Sequence, residues 1–299
     1  MAEVSEIERP LAEFKPQHDF FVGIDSDGCA FDSMEIKHKE CFIPNFIKYF
    51  DLQPVSKYAR EANEFVNLYS KWRGINRWPA MIRSLDMTRD RAEVIARGAK
   101  IPQLPEVRTF IESGSALSND GLKKYIAKND HAELRNALEW SEAVNRTVED
   151  IVHNVPPYPF VRESLGKMKT IADMIVVSAT PGEALKREWH ENGIAPFVSI
   201  IAGQEMGTKE RHLTLAAKGK YAPEKILMIG DAPGDLKAAR SIGALFFPIN
   251  PGQEDASWKR FHNEAFDVFK AGKFAGDYEK KLIAEFETFL PEVPPWKKA

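Results

Sequence analysis

The stretch FFVGIDSDG, residues 20–28, decides the fold, because a short apolar run leads directly into two carboxylates. The run at 20–24 is rich in strand-forming residues and does not alternate with polar ones, as expected of a strand buried on both faces. Asp25 and Asp27 then stand where that strand ends. Ligands of open α/β sheets bind at the ends of parallel strands. The stretch therefore predicts a buried strand that leads into a polar site.

Further strand-like runs lie in the second half of the chain and are separated by stretches long enough for helices. They are short and rich in Val, Ile and Phe, and they occupy residues 174–177, 198–201, 225–229 and 244–247. The helix-length stretches between them lie near 182–192, 209–219 and 233–241. Alternating strands and helices are typical of a parallel sheet covered on both faces. The sequence therefore predicts an α/β protein with a doubly wound parallel sheet.

A long insertion separates the first strand from the others. Residues 34–154 carry little strand signal and several helical periodicities, so we expect an all-α domain there. The run Pro156-Pro157-Tyr158-Pro159 closes the insertion, because proline favours an extended chain and ends helices. The remaining predicted parts are an α/β core at 20–33 and 155–250, a lead segment at 1–19, and a C-terminal helical extension at 251–299 that packs on the core.

Composition and charge exclude several classes of protein. The chain has 299 residues, and its net charge of -3 provides no basic field for nucleic acid. No apolar run reaches the roughly 18 residues of a membrane helix, and residues 1–19 are too charged for the core of a signal peptide. Cys29 and Cys41 match neither a disulfide framework nor a metal-binding pattern. We therefore expect a cytoplasmic protein with no nucleic-acid or membrane partner.

Polar residues follow the ends of the predicted strands. After Asp25 and Asp27 these residues are, in chain order, Ser178, Lys209, Asp231 and Asp235. Acids packed this closely need a compensating cation, and Mg²⁺ prefers their oxygen atoms as ligands. A hydroxyl and an ammonium group are suited to the oxygens of a phosphoryl group. The sequence thus predicts a site for Mg²⁺ and a phosphoryl group.

These residues resemble the four motifs of the haloacid dehalogenase superfamily, in the same order. The matching segments are 25–33 for the first motif, Ser178 for the second, Lys209 for the third, and Gly230-Asp231 with Asp235 for the fourth. The resemblance is close over 20–33 and 155–250, except that Phe160 stands where the family often has glycine. The insertion is similar only in its place in the chain. This resemblance implies an aspartyl-phosphate phosphatase with a helical cap inserted after the first motif.

The resemblance also implies a role for each matching residue. Asp25 would attack phosphorus and become a phosphoaspartate, and Asp27 would act as general acid and base. The implied phosphate-binding residues are Ser178, Ala179 and Lys209. The implied Mg²⁺ ligands are Asp25, the backbone carbonyl of Asp27, Asp231, and Asp235 directly or through water. The acid at Asp27 argues against a dehalogenase, which lacks it, and against a phosphonoacetaldehyde hydrolase, which replaces it.

The stretch KWRGINRW, residues 71–78, is the most unusual part of the insertion, because it combines cations, indoles and a glycine. Its polar residues could bind a second anionic or hydroxylated part of the substrate; they are Lys71, Arg73, Asn76 and Arg77. An equally supported interpretation is a helix end that buries Trp72 and Trp78 in the core of the insertion and leaves the charges in water. Both interpretations remain open from the sequence.

Lys37 and His38 stand where the insertion begins. In the resembling β-phosphoglucomutases a histidine of this neighbourhood assists proton transfer, so both residues are specificity candidates. The alternative for them is a solvated helix face.

The predicted reaction is Mg²⁺-dependent hydrolysis of a small phosphomonoester by a monomer or homodimer. A phosphomutase of the β-phosphoglucomutase type is an alternative, because it shares every core residue. A non-catalytic phosphometabolite-binding protein on the same scaffold is a second alternative, although none of the catalytic positions is replaced.

Overall fold

The computed structural model describes residues 4–297. Within these residues, five strands form one parallel sheet in the order β3-β2-β1-β4-β5. The strands are β1 (Phe20–Ile24), β2 (Ala172–Val177), β3 (Ile200–Ala202), β4 (Ile226–Gly230) and β5 (Leu245–Pro248). The strand that the opening stretch predicts is therefore the central one. The parallel sheet confirms the predicted fold class.

Helices lie before, between and after the strands. In chain order they are α1 (Arg9–Ala12), α2 (Ser33–Ile36), α3 (Ile43–Tyr49), α4 (Ser56–Asn67), α5 (Arg77–Arg89), α6 (Ala92–Ala96), α7 (Pro105–Glu112), α8 (Asn119–Ile126), α9 (Ala132–Ile151), α10 (Val161–Met168), α11 (Gly182–Glu191), α12 (Lys209–Ala216), α13 (Pro233–Ser241), α14 (Glu254–Arg260), α15 (Phe266–Lys270) and α16 (Asp277–Thr288). Segments of π-helix at Lys37–Phe42 and Phe261–Ala265 continue α2 and α14.

The described chain divides into two compact units. Residues 4–34 and 154–290 form the α/β unit, which holds the whole sheet. Residues 35–153 and 291–297 form the helical unit. Because of this division, the chain passes from one unit to the other after Met34, His153 and Leu290.

Close packing around the central strand explains a glycine in its middle. A Cβ added to Gly23 would lie 2.9 Å from Cδ2 of Leu213 on α12, so the absence of a side chain lets this helix approach the sheet.

Helices of the C-terminal part cover the sheet beyond β5. The ring of Phe286 on α16 meets Phe246 edge to face with centroids 5.8 Å apart. Buried side chains of the segment 254–290 pack against the sheet, so this segment is part of the α/β core.

The prediction that all of 251–299 packs on the core is wrong for residues 291–297, which belong to the helical unit. The indole of Trp296 packs edge to face on Phe65, with ring centroids 5.6 Å apart. The guanidinium of Arg91 lies 4.5 Å from the centroid of the same indole. Phe65 and Arg91 both belong to the helical unit, so the last described residues join that unit.

Aromatic side chains form the core of the helical unit. Trp78 on α5 and Trp140 on α9 are buried and meet edge to face at 5.9 Å. Phe110 on α7 packs on Trp78 at 6.0 Å in the same manner. The helices of this unit are therefore held together by large rings at helical spacing.

Among the helices of residues 4–297, none is both long and apolar enough to cross a membrane.

Candidate active site

The candidate site lies at the carboxyl ends of three neighbouring strands. Asp25 follows β1, Ser178 follows β2 and Asp231 follows β4. β1 pairs with β2 on one side and with β4 on the other. The parallel pairing therefore brings residues more than 150 positions apart to one edge of the sheet.

A tight turn carries the first two acids. The amide of Asp25 donates to the carbonyl of Ile229 at 3.0 Å, which extends the strand pairing by one residue. Gly28 then adopts a φ of 75°, which favours glycine, and its amide donates to the carbonyl of Phe31 at 2.9 Å. The glycine of the first motif is thus required by the backbone of this turn.

Three buried acids and one lysine form the centre of the site. Carboxylate oxygens of Asp25, Asp231 and Asp235 lie within 4.8 Å of one another. Nζ of Lys209, the first residue of α12, donates to Oδ2 of Asp25 and to Oδ1 of Asp235, each at 2.6 Å. A single ammonium group therefore faces more carboxylate charge than it can neutralise.

Burial and neighbouring charges shift the pKa values of this cluster. Burial raises the pKa of Asp25, Lys209 opposes the rise, and the charges of Asp235 and Asp231 add to it. Burial alone would lower the pKa of Lys209, but the adjacent carboxylates outweigh it, so the pKa is raised and the ammonium keeps its proton. The excess negative charge and the set of oxygen donors fit a hard divalent cation such as Mg²⁺.

Asp235 owes its position to the glycine before Asp231. A Cβ on Gly230 would lie 2.4 Å from Cβ and Cγ of Asp235, so no larger residue fits there without a shift. Oδ2 of Asp235 accepts the amides of Asp231 at 3.2 Å and Ala232 at 3.0 Å, where α13 begins. Asp235 therefore orders the loop that carries Asp231 and also binds Lys209.

Two hydroxyl groups hold the side chain of Asp27. Ser33 donates to Oδ1 of Asp27, and Oγ1 of Thr180 donates to Oδ2 at 2.6 Å. The amide of Thr180 also donates to Oγ of Ser178 at 3.2 Å, and Ala179 between them is exposed. Asp27 is thus tied to the turn after β2. Sequence analysis assigned no role to either hydroxyl, although Ser33 is the last residue of the first-motif segment 25–33 and Thr180 lies two residues after Ser178.

The first two candidate residues of the 71–78 stretch, Lys71 and Arg73, bind partners within the helical unit. Nζ of Lys71 pairs with Glu292 at 2.5 Å, and both side chains are partly exposed. Arg73 is buried, and its Nη1 donates to the carbonyl of Leu68 at 2.8 Å.

The following residues begin a helix. Oδ1 of Asn76 caps α5 by accepting the amide of Trp78 at 3.0 Å. Nη1 of Arg77 donates to Oγ of Ser141 and to Oδ1 of Asn145, each at 2.8 Å. Together with the buried Trp78, these contacts favour a helix end, but Trp72 is only half-buried and Arg73 is buried instead of lying in water. A specificity role for the stretch stays a prediction.

Lys37 and His38 lie on the π-helical segment Lys37–Phe42 of the helical unit. The imidazole of His38 stacks on the ring of Phe42 with centroids 4.7 Å apart. Both side chains are half-buried, so neither lies on a fully solvated face. Their role in specificity stays a prediction.

A model of the haloacid dehalogenase-like hydrolases matches residues 98–249, just over half of the chain. The matched range contains Ser178, Lys209, Asp231 and Asp235, and Asp25 lies before it. Over 142 residues, 44% of this chain, the sequence is 26% identical to a phosphoglycolate phosphatase from Chromobacterium violaceum. The match spans 64% of that enzyme, which is less than two thirds of its length.

The chain is also similar to solved structures at low sequence identity. A protein from Lactobacillus delbrueckii subsp. bulgaricus, assigned as a phosphoglycolate phosphatase, has a TM-score of 0.50 at 15% identity, over 85% of this chain and 98% of its own. A β-phosphoglucomutase from Clostridium difficile has a TM-score of 0.48 at 16% identity, over 89% of this chain and 100% of its own.

Proposed function

Because the chain belongs to the haloacid dehalogenase-like hydrolases, we propose that it hydrolyses a small phosphomonoester through a phosphoaspartate at Asp25, in a Mg²⁺-dependent reaction. The observation that carries this proposal is the position of Lys209, which bridges Asp25 and Asp235 at 2.6 Å inside a cluster of buried acids. A lysine in that position can orient a nucleophilic carboxylate and, with the same positive charge, stabilise the phosphoryl group that the carboxylate attacks.

Asp25 is held in one orientation for the attack. The amide of Ser26 donates to Oδ1 at 2.7 Å, and Lys209 binds Oδ2. In the first step a carboxylate oxygen forms a bond to phosphorus while the ester P–O bond breaks, and Asp27 gives its proton to the leaving oxygen. In the second step water attacks the phosphorus of the phosphoaspartate, Asp27 takes its proton, and the carboxylate of Asp25 is released with inorganic phosphate.

Ser178, the backbone at Ala179 and Lys209 are the proposed contacts of the phosphoryl oxygens. Oγ of Ser178 accepts the amide of Thr180 and donates to none of the described residues, so its proton is available to a ligand. Lys209 supplies a fixed positive charge where the charge of the transferring group develops.

Asp25, Asp231 and the backbone carbonyl of Asp27 are the proposed ligands of Mg²⁺, with Asp235 binding directly or through water. The bound ion would neutralise the acids and the phosphoryl oxygens. Asp235 already accepts three hydrogen bonds, so we propose that its main task is to orient Lys209 and the loop at Asp231.

The proposed substrate is a small phosphorylated metabolite, handled by a monomer or homodimer in the cytoplasm. The curated relative is a phosphoglycolate phosphatase, which makes a phosphorylated small acid the first compound to test.

The test replaces Asp25 by asparagine and follows phosphate release from an aryl phosphate with and without Mg²⁺. We expect wild-type hydrolysis to require Mg²⁺ and Asp25→Asn to lower kcat by about a thousandfold or more. Asp19→Asn is the matched control, because Asp19 is 82% exposed and outside the site, and it should leave kcat unchanged. Retained activity in Asp25→Asn would contradict the mechanism. Conversion of a sugar 1-phosphate to its 6-isomer without free phosphate would instead identify a phosphomutase.

A further inference from the structure

The residue between the two acids of the first motif is itself a buried polar residue. Ser26 has no exposed surface. Its Oγ accepts the indole N–H of Trp189 at 3.0 Å and donates to Oε2 of Glu188 at 3.1 Å. Both partners lie on α11, the helix that follows the turn at Ser178. A buried hydroxyl with both a donor and an acceptor as partners has its rotation fixed.

Trp189 has little freedom to move away from this contact. Its side chain is fully buried, and its ring meets Phe31 edge to face with centroids 5.9 Å apart. An indole N–H can only donate, so loss of the Ser26 hydroxyl would leave it buried without its acceptor. Packing and hydrogen bonding therefore place Oγ of Ser26 at one point.

The backbone of Ser26 transmits that position to the first acid and to the turn. Its amide donates to Oδ1 of Asp25 at 2.7 Å. Its carbonyl accepts the amides of Ala30 at 2.9 Å and Phe31 at 3.1 Å, which close the turn that contains Asp27. A rotation of this one residue would move the hydrogen bond on Asp25 and open the turn together.

We propose that Glu188 and Trp189 are positioning residues, which act through the hydroxyl of Ser26 to orient the carboxylate of Asp25 and the turn at residues 26–31. This inference rests on the proposed function only in naming Asp25 as the nucleophile. Thr180, just before α11, binds the carboxylate of Asp27. One segment after β2 therefore fixes both acids, Asp25 through Ser26 and Asp27 through Thr180.

The kinetic test uses Ser26→Ala and Glu188→Ala with an aryl phosphate as substrate. We expect kcat to fall by about ten- to a hundredfold with little change in KM, because a displaced nucleophile slows the chemical step. Glu188→Gln keeps an acceptor oxygen for the hydroxyl and should restore kcat to within about threefold of wild type. The matched control is Ser164→Ala on α10, a buried serine whose Oγ has no hydrogen-bond partner in the described part of the chain.

A second readout does not need turnover. Amide hydrogen exchange at residues 26–31 should be about tenfold faster in Ser26→Ala and Trp189→Phe than in wild type, and unchanged in Ser164→Ala. If Ser26→Ala matches Ser164→Ala in both kcat and exchange, the positioning role is wrong. If Glu188→Gln is as slow as Glu188→Ala, the role of Glu188 is wrong. If wild type hydrolyses no phosphate ester while exchange responds as expected, the positioning of the turn stands and the proposed function fails.

Discussion

A histidine buried on the helix that carries Lys209 should make the stability of the protein sensitive to mild acid. His212 on α12 has no exposed surface, and neither ring nitrogen makes a well-formed hydrogen bond to the described residues. Burial lowers the pKa of His212 from its usual 6.5 to about 4, and the charge of Lys209 acts in the same direction. The polar backbone of Gly203 and the negative charge of Glu8 each raise the pKa of His212, but by less than burial lowers it. The imidazole is therefore neutral in the folded protein at pH 7.

The difference in pKa determines the sign and size of the effect. Between pH 6.5 and about 4 the unfolded chain binds a proton at this histidine and the folded protein does not. The free energy of unfolding therefore keeps its full contribution from His212 above pH 6.5 and loses it as the pH falls toward 4. At roughly 1.4 kcal/mol for each pKa unit, the contribution is about 3 kcal/mol.

The assay is urea unfolding at a series of pH values from 7 to 4, with wild type compared with His212→Leu. Leucine cannot bind a proton, and the carboxylates contribute equally to both proteins, so the difference between the two curves isolates the histidine. We expect wild type to lose about 3 kcal/mol more than His212→Leu over this range. His190→Gln is the control, because His190 is exposed on α11. Parallel curves for wild type and His212→Leu would refute the reasoning.

Two further substitutions test the site and the C-terminal segment. Gly230→Ala should displace Asp235, weaken Mg²⁺ binding more than about tenfold and destabilise the fold by about 1–3 kcal/mol, as measured by calorimetric titration and thermal unfolding. Gly234→Ala is its control, because an added Cβ there meets nothing within 4 Å. Trp296→Ala should lower the free energy of unfolding of the helical unit by about 1–2 kcal/mol, because it loses the contacts with Phe65 and Arg91. Val293→Ala, at a 46% exposed position of the same segment, should have no effect in the same urea titration.

The sheet could be predicted because its signal is local. The run at 20–24 coincides with β1, and the run at 225–229 overlaps β4 at 226–229. Residues 291–297 could not be assigned in this way. They carry prolines at 291, 294 and 295 and no helical periodicity, and their packing depends on Phe65 and Arg91, more than 200 residues away.

The same distinction applies to the candidate site. Asp25, Lys209 and Asp235 follow the ends of predicted parallel strands, which predicted that their side chains would lie close together. In the structure Lys209 donates a hydrogen bond to each of the two carboxylates. The partners of Ser26 and the hydrogen bond from Thr180 to Asp27 were not predictable, because a serine or threonine gives no sign in the sequence of which distant group it will bind. Pairings of this kind are set by helix placement and not by local pattern.

The structure also separates the candidates of the 71–78 stretch by what a substrate would have to displace. Arg73 and Arg77 donate to protein oxygens, Arg73 from a buried position, and binding a substrate would leave those acceptors unsatisfied. Lys71 forms an ion pair with Glu292 in which the side chains are 42% and 67% exposed. An exposed pair of this kind contributes about 0–1 kcal/mol, so it can be exchanged for a substrate anion at small cost. If any cation of this stretch contributes to specificity, Lys71 is therefore the one that the structure leaves able to do so.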